Sequence, residues 1–425
     1  MKVQNNITST DIQESFGVKS TFFKDTIEGL KSRFVENQQI FNETYNEWAR
    51  YFKHIYGEKV SFDLFIKHTY YIQLLYAFLI IKISKHKGVD LDSLFEIYKK
   101  GELFEPYIII NEFYTWFDFT RKQFSKLYQF LYIKDLASQD IFHKLYQDIF
   151  LSSTRHSIGE FYTPFLLVKE MVKDSYEFGV LTLDPSCGSG IFLLRILNFI
   201  LESDESKESK MEAIRNLYGF DMNLLATFTA KINILLLISN STVFQSNRIE
   251  KLPTIALMDS LFPDSKVFQD IFGDKSPNLD LVIGNPPWLT YKDIKRKVYQ
   301  SKIRNLAESL DIKPASQYIT HIELASLFFY GSSKNYLKEN GIIHLVVPKS
   351  LINGDHCEKF RKFSIFRDVE IWDFPNNYFF NVPHICLKAR YDSEVKSFLD
   401  NFPIPTKIFD NKLKLINKTK YSTYK

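Results

Sequence analysis

The sequence predicts an α/β protein with a doubly wound, mostly parallel sheet, preceded by an all-helical N-terminal region. Apolar runs at 180–183, 216–220, 254–258 and 279–284 read as buried strands, and each ends on a polar residue: Asp184, Asp221, Asp259 and Asn285. The first run is followed by the turn Pro185-Ser186-Cys187-Gly188-Ser189-Gly190 and then by an apolar stretch, Ile191 to Leu201, with helical spacing. Strand, glycine turn and helix in that order let the backbone approach a ligand and set a helix N-terminus beside it. Near the start of the chain, Leu30, Phe34, Phe41, Tyr45, Trp48 and Phe52 recur mostly every three to four residues, the mark of one apolar helix face.

Residues 1–150 are expected to form a helical accessory domain. The most apolar run, Tyr70 to Ile83, is too short to span a membrane and contains Gln73 and Lys82. It reads as a buried helix ended by Lys85, Lys87 and Gly88. Tyr114, Trp116 and Phe117 through Phe150 continue in the same style. No acid and Asp/Glu-x-Lys spacing of a nuclease stands out here. Residues 151–390 are expected to hold the sheet. Within them, Ser203 to Lys210 reads as a polar loop. Ile322 to Leu337 reads as an amphipathic helix closed by Asn340-Gly341, and Ile342 to Val347 and Val369 to Asp373 as strands. Residues 391–425 read as a short basic tail, Lys-rich from Lys407 with Asp410 as its acid.

Composition narrows the class. The 425 residues are 45% hydrophobic and 16% aromatic, enough for sizeable cores. Three scattered cysteines, Cys187, Cys357 and Cys386, argue against a disulfide framework or a Cys-rich zinc site. Met1 to Glu14 is polar, so the expectation is a cytoplasmic protein with no membrane partner. The net charge of +4 neither demands nor excludes nucleic acid. Glycine is scarce, 15 in all or about half the usual share. Gly159, Gly188, Gly190, Gly219, Gly284 and Gly341 nevertheless fall in or beside the segments that matter here.

The residues Asn285-Pro286-Pro287-Trp288 close the strand at 279–284. Two prolines fix φ and remove two N–H donors, and the first forces Asn285 out of the helical region. The resulting turn presents an amide side chain, bare carbonyls and an indole at a strand's carboxyl end. Such groups suit a planar amine: the Asn285 Oδ1 and Pro286 carbonyl accept its hydrogens, and Trp288 stacks on its ring. The plainer alternative is a proline-stiffened turn. Open α/β sheets bind ligands beyond the carboxyl ends of their strands, where Asp184, Asp221 and Asp259 also lie. Asp221 suits ribose hydroxyls. Asp259 suits an adenine amino group, with Leu261 or Phe262 against the ring. Taken singly, each acid has a helix cap or loop carboxylate as its bland alternative.

In these residues the chain resembles the N6-adenine DNA methyltransferases in the γ order of motifs, the modification subunits of type I systems and the methylase part of type IIG enzymes above all. The resemblance spans roughly Arg155 to Lys388. Asp184, Pro185, Gly188 and Gly190 resemble the first S-adenosylmethionine motif; Asp221 and Asp259 stand where the next two place acids; Asn285, Pro286, Pro287 and Trp288 resemble the catalytic motif. Gly159-Glu160-Phe161-Tyr162-Thr163-Pro164 is similar to an extra donor segment. Protein-glutamine methyltransferases with the same catalytic turn lack that segment. The resemblance implies a seven-stranded class I methyltransferase sheet and S-adenosylmethionine as cofactor, with no metal. It also implies that Tyr162 or Thr163 touches the methionine end of the donor and that Phe380 packs on the flipped base. For Phe380 the alternative is simple core packing.

Lys292, Lys295, Arg296, Lys297, Lys302 and Arg304 follow the catalytic turn, interleaved with Tyr291 and Tyr299. They would meet phosphates beside an extruded base, with a solvated helix face as the alternative. The expected function is methyl transfer to adenine N6 in double-stranded DNA, within a restriction-modification or phage-defence system. Fewer than forty residues follow Lys388, too few for a target recognition domain. The expectation is therefore a separate specificity subunit, a domain beyond this sequence, or other defence-system proteins as partners. Methylation of a protein glutamine or an RNA amine is one alternative. A non-catalytic DNA-binding assembly subunit with a donor-sensing pocket is another.

Overall fold

The computed structural model describes residues 6–57, 60–84, 88–101, 107–132, 134–136, 140–150, 159, 161–239, 241, 252–375, 379–395 and 403–421. Glu160, Lys85 and Lys87 lie outside them. Two compact units emerge. One comprises Met1–His156, Gly188–Gly190 and Asn223–Glu250; the other comprises Ser157–Cys187, Ile191–Met222 and Lys251–Lys425.

The first unit is helical. Thr8 with Asp11 and Thr120 with Gln123 form capping boxes that start the helices Ser9–Phe16 and Arg121–Leu131. Leu30, Phe34, Trp48 and Phe52 are buried, as their spacing predicts. The central helix, Phe62–Ser84, is longer than the apolar run Tyr70 to Ile83 suggests. Its length and composition would let it cross a membrane, but 94% of its apolar window is buried inside the protein, as in a core helix. Aromatic rings surround it: Phe16 meets Phe78 at 5.5 Å and Trp48 meets Phe65 at 5.2 Å. The helix Leu224–Ser239 packs in this unit, where Thr229 Oγ1 lies 3.3 Å from the Tyr71 hydroxyl.

The second unit holds one sheet of nine strands: β1 (Thr182–Asp184), β2 (Leu217–Asp221), β3 (Thr254–Leu257), β4 (Leu279–Gly284), β5 (Leu337–Pro348), β6 (Phe366–Asp373), β7 (His384–Tyr391), β8 (Ile404–Phe409) and β9 (Leu415–Tyr421). Their order is β3-β2-β1-β4-β5-β7-β6-β8-β9. The first five are mutually parallel, and β7 runs antiparallel to β5 and β6. The chain order reverses between β1 and β4, which opens a crevice beyond their carboxyl ends. Leu279, Leu281, Val282 and Ile283 are all buried, as expected of a parallel strand covered on both faces.

Several expectations need correction. The segment read as a basic tail forms β8 and β9, so the sheet has nine strands rather than seven. Ile404, Thr406 and Phe409 turn inward, and Phe409 packs on Trp372 at 5.1 Å. Lys407 pairs with Glu370 at 2.8 Å and with Asp174 at 3.4 Å. Lysines on the outward positions hide this alternation in the sequence. Ser203 to Lys210 is only partly loop, because Ser206 caps the helix Lys207–Arg215 by accepting the Ser209 N–H. The helix Leu324–Tyr336 is buried nearly all round rather than amphipathic, and it passes directly into β5. Asn340, at φ 67°, therefore lies within β5 instead of closing the helix. Ile404, 1% exposed, makes the hairpin's role testable. Ile404→Ala should destabilise the protein by about 2–4 kcal/mol in urea unfolding, whereas a free tail would tolerate it unchanged.

Candidate active site

Asn285 emerges from β4 with its side chain fixed. Its Nδ2 donates to Thr163 Oγ1 at 3.0 Å and to the Phe161 carbonyl at 3.4 Å. A carbonyl can only accept, so the nitrogen must face it. Oδ1 is thereby turned the other way, where it is buried without a hydrogen-bond partner. A buried acceptor left empty costs about 1–3 kcal/mol, a cost a bound N–H would relieve. The turn itself is anchored downstream: Leu324 N donates to the Leu289 carbonyl at 2.9 Å, and Tyr291 N to the Ile322 carbonyl at 2.8 Å. Gly159, at φ 73°, lies against it, and a Cβ there would fall 3.0 Å from Pro287 Cβ and 3.1 Å from Trp288 N. Any other residue would push on the Pro287-Trp288 backbone.

Trp288 stands in an aromatic cluster. Its ring lies 4.9 Å from Phe161 and 4.7 Å from Phe380, and its indole N–H reaches the Val346 carbonyl at 3.4 Å. Phe380 is buried beside it, as the core-packing alternative requires. Sequence reasoning missed His384, at the start of β7. Its ring lies 4.7 Å from Phe380 and 6.2 Å from Trp288. His384 Nδ1 sits 3.0 Å from the Val382 carbonyl, which makes that nitrogen the N–H and leaves Nε2 a buried acceptor without a partner. Burial holds its pKa below the usual range, so the ring stays neutral. A single histidine in a Phe-rich stretch gives no signal before the aromatic cluster is known.

The acids at the strand ends differ. Asp184 is buried, and its Oδ1 accepts the Ser186 N–H at 3.2 Å. Gly284 makes room for it, since a Cβ there would come within 2.5 Å of that oxygen. Burial first, and the nearby Asp221 charge second, push the Asp184 pKa up to about 8. Asp221 ends β2, and its carbonyl accepts the Met258 N–H at 2.9 Å. Asp259 Oδ1 accepts from the Leu261 and Phe262 amides at 3.0 and 3.3 Å, while Oδ2 accepts the Tyr299 hydroxyl at 2.9 Å. Asp259 is thus also the loop carboxylate of the bland alternative. Leu261 is buried in the core against the Gly331 backbone, so of the two residues considered for a ring contact, Phe262 is the better placed.

Thr163, 4% exposed, holds the Asn285 amide, a role distinct from the donor contact implied for Tyr162 or Thr163. The Pro185 carbonyl accepts the Ser260 hydroxyl. Gly188 and Gly190 both adopt positive φ, 53° and 89°, and a Cβ on Gly188 would enter open space. Lys292, Lys295 and Arg296 are exposed on the segment after the turn. Farther along, Tyr299 meets Phe262 edge-on at 5.4 Å and Lys302 lies 5.4 Å over the same ring. Part of the basic stretch therefore faces the Asp259 corner.

A carboxyl whose pKa is raised on folding stabilises the protein at low pH, and that contribution is lost as pH rises. For Asp184 the loss runs from the ordinary carboxyl range up to about 8. Asp184→Asn should therefore raise the donor-free melting temperature more at pH 8 than at pH 6. An equal gain at both would place the carboxyl in water.

Residues 215–380 match the model of the Eco57I restriction-modification methylase family, a stretch that holds Asp221, Asp259, the Asn285 turn and Phe380. No curated protein sequence matches the chain. Among solved structures, the DrdV–DNA complex aligns with a TM-score of 0.60 and 14% identity over 94% of this chain and 43% of that one. The ATP-dependent type ISP restriction-modification enzyme LlaBIII bound to DNA aligns at 0.57 and 14% over 92% and 30%. The type IIL restriction-modification enzyme MmeI in complex with DNA aligns at 0.52 and 13% over 89% and 60%. The chain thus spans less than two thirds of each of these relatives, and at such identities the likeness is one of fold. Residues 215–380 are thus similar to the Eco57I restriction-modification methylases, and they lie on a largely parallel sheet lengthened by a C-terminal hairpin.

Proposed function

We propose that the chain transfers a methyl group from S-adenosylmethionine to the N6 amino group of adenine in double-stranded DNA. The observation that carries this reading is the buried, unpartnered Asn285 Oδ1 beside the Trp288 and Phe380 rings. An adenine amine is a poor nucleophile because its lone pair is spread into the ring. Oδ1 and the Pro286 carbonyl, accepting its two hydrogens, concentrate that lone pair on nitrogen. Trp288 and Phe380 supply faces for an extruded base. Holding the amine in place and excluding water provide most of the acceleration. When bound, S-adenosylmethionine supplies an activated methyl whose S–C bond breaks as the N–C bond forms, the surplus amine proton leaving afterwards.

The donor fits the residues present. Gly188, at positive φ with open space beside it, leaves bare backbone for it, Asp221 suits its ribose, and Asp259 with Phe262 suits its adenine. Lys292, Lys295 and Arg296 are assigned to DNA phosphates. Choice of sequence is assigned to a separate specificity subunit or to a further domain, within a restriction-modification or defence system in the cytoplasm.

Asn285→Ala should cut methyl transfer roughly 100-fold or more, as loss of an oriented transition-state contact does, while donor affinity holds. Tritium transfer from labelled donor to duplex DNA, RNA and protein measures this; transfer to RNA or protein alone would sink the DNA reading. Asp221→Ala should instead weaken donor binding about tenfold, read by calorimetry, and unchanged affinity would remove its ribose role.

A further inference from the structure

The turn Gly188–Gly190 belongs to the compact unit that contains the helical region, and there it is held from outside. Asp140, 1% exposed, accepts the Ser189 hydroxyl on Oδ2. Its Oδ1 accepts Asn233 Nδ2 at 3.0 Å and the Phe142 N–H at 3.2 Å. The same Asn233 nitrogen donates to the Ser189 carbonyl at 3.1 Å. Both partners of that nitrogen can only accept there, which fixes the amide's orientation. Ser189 is therefore gripped at hydroxyl and carbonyl together. One residue later the backbone passes close to the helix Leu224–Ser239, where a Cβ on Gly190 would lie 3.3 Å from Ala230 Cβ.

A buried carboxylate is expensive unless fully hydrogen-bonded, and burial does raise the Asp140 pKa. Starting the following helix, His143–Ile149, does not account for it, since that helix takes no side-chain cap. The expense has a return if the geometry of the glycine turn matters. We propose that Asp140 is a positioning residue of the donor site: through Ser189 and Asn233 it fixes the Gly188–Gly190 turn in the shape that receives S-adenosylmethionine. This rests on the donor reading above. Asp140 then acts through Ser189 without touching the reacting atoms.

The test is titration of the full chain with S-adenosylmethionine, alongside steady-state methylation of duplex DNA. Asp140→Asn keeps the side chain's size and removes its charge. It should weaken donor binding about tenfold or more, the scale of a lost charged hydrogen bond. Turnover at saturating donor should stay within about twofold of wild type, since the contact is not made to the transition state. Ser189→Ala should weaken donor binding too, and Asp140→Asn should add little in that background, because the two act as one unit. Wild-type affinity in Asp140→Asn, or simple addition of the two losses, overturns the inference. Should Asp140→Asn fail to fold, Ser189→Ala decides: weakened binding with an unchanged melting temperature supports the inference, and unchanged binding overturns it. Absence of donor binding by the wild-type chain would remove the donor reading itself, and this inference with it.

Discussion

The candidate site depends on how one amide is held. Asn285 Nδ2 bonded to Thr163 Oγ1 and the Phe161 carbonyl leaves Oδ1 only one direction to face. The two prolines after it prevent the turn from relaxing into helix, and Gly159 lets the segment from 159 to 163 lie close enough to reach it. The segment that resembles a donor-binding element thus holds the Asn285-Pro286-Pro287-Trp288 turn. Asn285 and Thr163 share a hydrogen bond, so a disturbance at Thr163 reaches Asn285 directly.

A second constraint is space at the sheet's carboxyl edge. Gly284 precedes Asn285 and makes room for the Asp184 carboxyl from the neighbouring strand, while Gly219 on β2 clears Leu193 and Ile255. In a chain this poor in glycine, these positions mark where backbone and functional side chains crowd together. Asp184, Asp221 and Asp259 crowd as well. One is buried, one lies near enough to raise its neighbour's pKa, and one already accepts from two amides and a tyrosine hydroxyl. Equivalent places in the strand sequence do not give equal electrostatic roles.

Much of this was legible in the chain. Strands ending on Asp184, Asp221, Asp259 and Asn285 declare a parallel sheet with its site at one edge, because fully buried strands are continuously apolar and punctuated by polar residues. Local signals failed where a pattern was mixed with charge. Lysines around Ile404 and Phe409 disguised an alternating strand as a basic tail, and buried Ser326, Ser332 and Ser333 disguised an internal helix as an amphipathic one. Contacts between residues far apart in sequence were invisible: His384 with Phe380 required the sheet to be folded first, and Tyr299 with Asp259 required the helix Lys297–Ser309 to turn back on β3. Asp140 was the hardest, since a lone aspartate among helices carries no local mark of the serine 49 residues away that it binds.

The aromatic cluster adds a last physical condition. A base lying flat between two rings needs about twice the stacking rise, roughly 7 Å. Trp288 and Phe380 stand 4.7 Å apart at 59°, so a base cannot stack between them without moving one ring. Trp288 is the less free of the two: its indole N–H is tied to β5 and its backbone follows Pro287 and abuts Gly159. Phe380 itself lies outside the strands, with no strand pairing to hold it. Entry of a base should therefore displace Phe380 rather than Trp288. The Asn285 Oδ1 beside these rings stays buried and without a hydrogen-bond partner.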